Sequence, residues 1–304
     1  MSRWSVEVVN GKLRGVFTFL ITPFEKADFM KVDEDGLRQN VRYLRDRGVH
    51  VLVPCGGTGE IYSLTVEECK RVIEIVAEEK GGSALVPGIP AGIKSAVEVA
   101  KHAENIGADA VLVFPPRYTS EEGLYRYYKE IARYTSIDLM PFILGGLETA
   151  LLRNPNFINR ILEIEQISAF KYESADLWTL GKLMRLAERK VNWICGPNFS
   201  ARVSECYFRL GASGFTDGIS NFAPQLPVKL YESAIKGRWE EFKEVEEKLA
   251  KLTDLRSKVG SVAFVKAALD LIGLSGGTVR PPLTPASDTE IYEIKKLLSE
   301  LGIL

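Results

Sequence analysis

Lys171 is the residue of this chain best placed to act as a nucleophile. It closes the apolar run Ile167-Ser168-Ala169-Phe170, so its amine should sit where water is scarce. Desolvation disfavours the ammonium form and lowers the pKa, which a nucleophilic amine needs near neutral pH. A strand-end lysine can also do no more than snorkel to solvent or pair with a neighbour, here Glu173. A second feature favours the chemical role. The stretch Gly56-Gly57-Thr58-Gly59-Glu60 lets backbone N–H groups approach a ligand and adds the Thr58 hydroxyl as a donor. Such a nest suits a carboxylate, and a 2-oxo acid carries its carboxylate beside the carbonyl that an amine attacks. The stretch lacks the Gly-Lys-Ser/Thr ending of a phosphate loop and the three-glycine spacing of a dinucleotide fingerprint. With only His50 and His102 there is no H-E-x-x-H and no His/Cys cluster, so no protein-ligated metal is expected.

The elements that must position these residues are legible as an alternation. Short β-branched runs predict strands at Val16–Ile21, His50–Pro54, Ala84–Pro87, Ala110–Phe114, Leu139–Phe142, Ser168–Lys171, Trp193–Cys195 and Gly214–Thr216. Between them lie segments with apolar residues at helical spacing, such as Leu37, Val41, Leu44 and Val49. Thr65-Val66-Glu67-Glu68 matches a capping box, and Gly48, Gly107 and Gly211 sit where helices should stop. The pattern predicts an α/β fold, a (β/α)8 TIM barrel with additional C-terminal helices. An open doubly wound sheet would usually carry a glycine-rich fingerprint after its first strand, where this chain has Thr22-Pro23-Phe24. The reading is one domain over residues 1–304. The barrel occupies about 15–223, and about 224–304 hold its last helix and a helical extension, with Asp254–Leu274 and Ser287–Leu301 as extra helices.

Barrel enzymes place their chemistry at the C-terminal strand ends. Here those ends carry Thr22, the Gly56–Glu60 stretch, Gly88, Pro115-Pro116-Arg117-Tyr118, the Phe142 region, Lys171, Gly196-Pro197-Asn198 and Thr216-Asp217-Gly218. Lys171 is the only lysine in that set. Composition removes other classes. The 39 basic and 40 acidic residues nearly cancel, leaving no electrostatic case for nucleic acid or a membrane surface. No apolar signal region and no stretch of about 18 apolar residues stands out, and Cys55, Cys69, Cys195 and Cys206 lack paired spacing. The expectation is a cytoplasmic protein with free thiols.

Thr22-Pro23-Phe24, Gly57-Thr58-Gly59-Glu60, Glu122-Gly123-Leu124-Tyr125 and Phe170-Lys171 together resemble the dihydrodipicolinate synthase / N-acetylneuraminate lyase family, in order and spacing from about Gly15 to Leu301. Within it, the glycine loop with Ser63-Leu64-Thr65, and the stretches Leu255-Arg256-Ser257-Lys258 and Val279-Arg280-Pro281-Pro282-Leu283-Thr284, resemble the 5-dehydro-4-deoxyglucarate dehydratase branch. The resemblance implies that Lys171 forms an imine with the keto carbon and that Gly57 and Thr58 bind the substrate carboxylate. It implies that Gly196 lies beside the substrate, and that Tyr118 reaches into a neighbouring subunit's proton relay in a homotetramer built from dimers.

One departure stands out. The family places a proton-relaying tyrosine after the fifth strand, and this chain reads Met140-Pro141-Phe142-Ile143-Leu144, with Phe142 at that position. Phenylalanine has no hydroxyl to relay a proton. The arginine that synthases carry a few residues later is replaced by Gly145-Gly146-Leu147. Strand alternation points Glu173 to the same side as Lys171, which makes it the substitute base, with burial expected to raise its pKa towards neutral. Tyr62 and Tyr118 are the other candidates. The implied function is a cofactor-free class I Schiff-base lyase, dehydratase or aldolase, acting on a small-molecule 2-oxo acid such as 5-dehydro-4-deoxyglucarate. Dihydrodipicolinate synthase activity and a non-catalytic oxo-acid-binding barrel are the alternatives. The substrate-selecting loops show no interpretable charged pair.

Overall fold

The computed structural model describes residues 11–117, 120–196 and 202–304. The strands are β1 (Gly15–Phe19), β2 (Val51–Val53), β3 (Ala84–Leu85), β4 (Gly88–Ile89), β5 (Val111–Val113), β6 (Leu139–Ile143), β7 (Ala169–Tyr172), β8 (Asn192–Cys195) and β9 (Gly214–Asp217). Between and after them run α1 (Glu34–Arg45), α2 (Val66–Glu79), α3 (Ile93–Asn105), α4 (Glu121–Tyr134), α5 (Gly145–Arg153), α6 (Phe157–Leu162), α7 (Leu177–Leu186), α8 (Ser204–Leu210), α9 (Gln225–Ile235), α10 (Trp239–Val259), α11 (Ser261–Leu271) and α12 (Asp288–Glu300).

All pairings between these strands are parallel, in the order β3-β2-β1-β9-β8-β7-β6-β5-β4. β3 and β4 stand at opposite ends of that order, yet only Val86-Pro87 separates them in the chain. Pro87 has no N–H to give, but the hydrogen bonding runs on through it. Val86 and Gly88 donate to the carbonyls of Leu52 and Pro54 at 3.0 and 2.9 Å, and the Pro87 carbonyl accepts from Leu112 at 2.9 Å. The sheet therefore curls round on itself in an α/β TIM-barrel-like fold, with helices outside and further helices at the C-terminal end.

Both faces of the sheet are buried, so the strands read as near-continuous apolar runs. Alternation decides which side each residue serves. Phe17 and Phe19, Val51 and Val53, Ala110 and Leu112, Met140 and Phe142, Ala169 and Ile194 fill the interior. Leu52, Val111, Val113, Phe170, Tyr172 and Cys195 face the helical layer. A separate apolar cluster joins Val16 and Phe215 to the inner faces of α9 to α12, which seats the C-terminal helices against β1 and β9.

The helix boundaries follow local chemistry. Thr65 accepts from the Glu68 N–H while Glu68 reaches back to the Thr65 N–H, a capping box, and Ser287 with Glu290 makes another. Gly48, Gly107 and Gly211 have positive φ after their helices. One expectation fails. The predicted helix Asp254–Leu274 is the end of α10 followed by the separate α11. Gly260, at φ +103°, ends the first and precedes the second. A residue with a Cβ would resist that angle.

Candidate active site

A cleft of about 600 Å³ at the C-terminal strand ends brings together Gly57, Thr58, Lys171, Glu173 and Gly196. Tyr118, the remaining residue singled out from the sequence, lies outside the described residues. Ala169 faces the interior and Phe170 and Tyr172 face the helices, so β7 turns Lys171, and then Glu173, towards the cleft. Lys171 is 3% exposed. Its Nζ lies 3.3 Å from the centroid of the Phe142 ring and 5.0 Å from that of Phe19, over faces that attract a cation. Phe142 is its register partner on β6.

Lys171 Nζ donates to Glu173 Oε2. Burial pushes the Lys171 amine below the ordinary lysine range, and the charge and hydrogen bond of Glu173 only partly oppose this. The near-neutral pKa expected for Glu173 does not hold in the free site. Burial does push its carboxyl up, but the charge and hydrogen bond of Lys171, with the charge of Arg256, bring it below the usual carboxylate range. Its side chain is 51% exposed, so desolvation is incomplete and the adjacent cation wins. Gly196 is the floor against which Glu173 rests. A Cβ there would stand 2.7 Å from Glu173 Cγ.

The glycine loop divides its labour. A Cβ on Gly56 would strike the Phe19 ring at 2.6 Å, and one on Gly59 would meet the Leu20 carbonyl at 2.8 Å, whereas Gly57 has open space. Gly56 and Gly59 thus serve packing, and Gly57 opens to the cleft. The Gly57 and Thr58 N–H groups donate to no backbone carbonyl among the described residues, which suits them to an anionic ligand. Glu60, which closes the stretch in the sequence, does not enter the cleft. It is fully buried, at φ +57°, with Oε1 2.6 Å from Lys266 Nζ and Oε2 accepting the Arg280 N–H at 3.1 Å. Arg280 goes further. Its guanidinium donates to the carbonyls of Phe29, Met30 and Ser63 at 2.8–2.9 Å and to Glu68 at 2.6 and 2.9 Å.

Sequence reasoning assigned no site role to Asp217, seen only among the strand ends, or to Arg256, seen only in the stretch that resembles the dehydratase branch. Both line the cleft, with Thr253, Ser257 and Ser261. Asp217 ends β9, and its position at a strand end was the available signal. It is 5% exposed. Burial pushes its carboxyl up, against Arg256 and the N–H groups of Ile219 and Ser220. Arg256 comes from α10, outside the repeating barrel units, and only tertiary packing brings it here. Among the described residues, no group of three or more His, Cys, Asp or Glu side chains could hold a metal ion, and no helix is long and apolar enough to cross a membrane.

The profile of the dihydrodipicolinate synthetase family matches residues 12–301. The chain belongs to the dihydrodipicolinate synthetase family. As a member of that family it is a lyase. A 4-hydroxy-tetrahydrodipicolinate synthase of Methanothrix thermoacetophila is 31% identical over 296 residues, 96% of this chain and 98% of the relative. A "probable 5-dehydro-4-deoxyglucarate dehydratase" of Oceanobacillus iheyensis is 28% identical over 294 residues, 94% of each. The solved dihydrodipicolinate synthase from Oceanobacillus iheyensis superposes with a TM-score of 0.86 at 29% identity, covering 96% of this chain and 98% of that one.

In this dihydrodipicolinate synthetase family member, the ring of Phe142, the residue expected at the tyrosine position, lies beside Lys171 and offers no hydroxyl. Tyr62 does not substitute for it from within the cleft. It is 59% exposed and lines an adjoining depression of about 1180 Å³ with Gly145, Gly146 and Arg153.

Proposed function

We propose that this lyase is a class I, cofactor-free enzyme that forms an imine between Lys171 and the keto carbon of a 2-oxo acid, in particular a 2-keto-3-deoxy sugar acid such as 5-dehydro-4-deoxyglucarate. One observation carries the reading: a buried lysine amine held below its ordinary pKa, in contact with a carboxylate, in the same cleft as the open Gly57-Thr58 amides. The neutral amine attacks the keto carbon, water leaves, and the iminium nitrogen draws electrons from C3. Glu173 then takes the C3 proton. From that enamine, hydroxide departs from C4 in a dehydratase; in an aldolase the iminium instead takes the electrons of the C3–C4 bond as the C4 hydroxyl gives up its proton, leaving the enamine of pyruvate and an aldehyde at C4.

Phe142 and the missing arginine at Gly145-Gly146-Leu147 favour this reading over synthesis of dihydrodipicolinate. The names of the relatives pull in both directions, since those at 31% identity are synthases and the dehydratase stands at 28%. Condensation of pyruvate therefore stands as the second reading. The proposal also takes residues 84–89 as one strand closing an eight-stranded barrel in a single domain. It takes the protein as a cytoplasmic homotetramer in which Tyr118 serves a neighbour's relay. Incubation with pyruvate and borohydride tests the core. One adduct per chain on Lys171 is expected, and an adduct elsewhere or none removes the reading.

A further inference from the structure

The cleft contains a cation that imine chemistry at Lys171 does not use. Arg256 lies in the last turn of α10, and its Nε donates to Ser261 Oγ, the first residue of α11, at 2.8 Å. The break at Gly260 thus brings the anchor of this side chain back beside it. A Cβ on Gly218 would stand 3.5 Å from Arg256 Nη1, which puts the guanidinium over the end of β9. Among the described residues Arg256 forms no ion pair. The two carboxylates of the cleft are engaged elsewhere. Glu173 takes the Lys171 ammonium, and Asp217 Oδ2 accepts the Ser220 N–H at 2.6 Å. Both still feel the guanidinium as a through-space charge.

A half-buried guanidinium with no carboxylate in contact carries a desolvation cost that an anionic ligand would relieve. Its planar fork fits a carboxylate with two parallel hydrogen bonds. The hydroxyls of Thr253 and Ser257 line the same wall. On the other wall, the segment Gly145-Gly146-Leu147 brings no cation to this cleft.

We infer that Arg256 is a specificity-determining residue that binds an anionic group at the far end of the substrate, so that the preferred substrates are 2-oxo diacids. The near carboxylate lies on Gly57 and Thr58, the keto carbon at Lys171, and the second carboxylate on Arg256, with the intervening hydroxyls towards Thr253 and Ser257. The inference rests on the imine reading of Lys171 and adds the far half of the substrate to it.

The test compares two probes that differ only at that end. One is 5-dehydro-4-deoxyglucarate. The other is a 2-keto-3-deoxyhexonate of the same configuration, with a CH2OH in place of the far carboxylate. The second-order rate of borohydride-trapped adduct formation is measured for each, which reads recognition whatever reaction follows. The unaltered protein should favour the diacid by about 10–100-fold, the range of a hydrogen bond to a charged group. Arg256→Met should bring the ratio close to one, and Arg256→Lys should keep part of it. Any misfolded fraction cancels in a ratio taken on one preparation. Adducts from both acids with a ratio that Arg256→Met leaves unchanged overturn the inference alone, as does an unaltered protein that favours the hexonate. Absence of any adduct on Lys171 from either acid overturns it together with the imine reading.

Discussion

Gly196→Ala puts a methyl carbon where Glu173 already stands, 2.7 Å from Cγ, 3.0 Å from Cβ and 3.1 Å from Cδ. Carbon atoms settle at about 3.5–4.0 Å, so the glutamate side chain has to retreat by roughly 1 Å. The backbone is poorly placed to yield instead. Gly196 donates to the Tyr172 carbonyl at 2.7 Å, and β7 pairs with β8 along its whole length from Ala169 to Tyr172. Glu173 therefore turns away about its own bonds and its carboxylate leaves Lys171, at a local cost of about 0.5–1.5 kcal/mol if the new rotamer is strained. A misplacement of about 1 Å in a reacting constellation is worth about 10²-fold in rate. Exchange of the pyruvate C3 protons with solvent deuterium, followed by NMR and normalised to trapped adduct, should fall by about that factor. Imine trapping itself should persist, and a thermal melt should show the fold intact. Exchange as fast as in the unaltered protein, in a variant that melts normally, would refute Glu173 as the base and the contact with Gly196 as its support.

Two further outcomes follow from the charges. Glu173 raises the Lys171 pKa by its charge and hydrogen bond, so Glu173→Gln should leave more amine neutral at a given pH and move the acid limb of pyruvate trapping to lower pH. In the same variant C3 exchange should fall about 10²–10⁴-fold, and an acid limb that moved upward would contradict the sign. Burial brings the Lys266 ammonium down to about 8 even with Glu60 beside it, and Lys266→Met strands a fully buried carboxylate. The loss should be about 3–5 kcal/mol, read as a lowered denaturant midpoint that the double variant with Glu60→Gln largely restores. A single variant as stable as the unaltered protein would show that Glu60 is held by Arg280 alone.

Fold and site were not equally legible. The strands declare themselves because both faces are buried, and Thr65 and Ser287 mark helix starts through local bonds that a sequence exposes. The break at Gly260 does not, because apolar spacing continues across it and a glycine inside a helix costs only about 1 kcal/mol. Lys171, Gly57, Thr58, Glu173 and Gly196 could be gathered from their places at strand ends. Arg256 stood out only in the stretch that resembles the dehydratase branch, and its place in the cleft could not be read because it arrives from the C-terminal layer. Glu60 was read with the ligand loop, yet it is a buried anion matched to Lys266 and Arg280, residues remote in sequence. The direction of the Glu173 pKa was misjudged because burial can be inferred from alternation, whereas the balance between a half-exposed carboxylate and an adjacent ammonium needs the geometry.

Arg280 has a consequence for anyone remodelling this barrel. One side chain fastens the segment after β1, through Phe29 and Met30, to the segment after β2, through Ser63, and to the first turn of α2, through Glu68. Those two loops cannot change length independently without breaking a buried guanidinium's bonds, so this quadrant of the rim behaves as a single casting. Loop grafting meant to enlarge or reshape the cleft should spare residues 25–33 and 60–68 and be directed at the segment that follows β6. A library built the other way round would leave a buried guanidinium without its partners in many of its members.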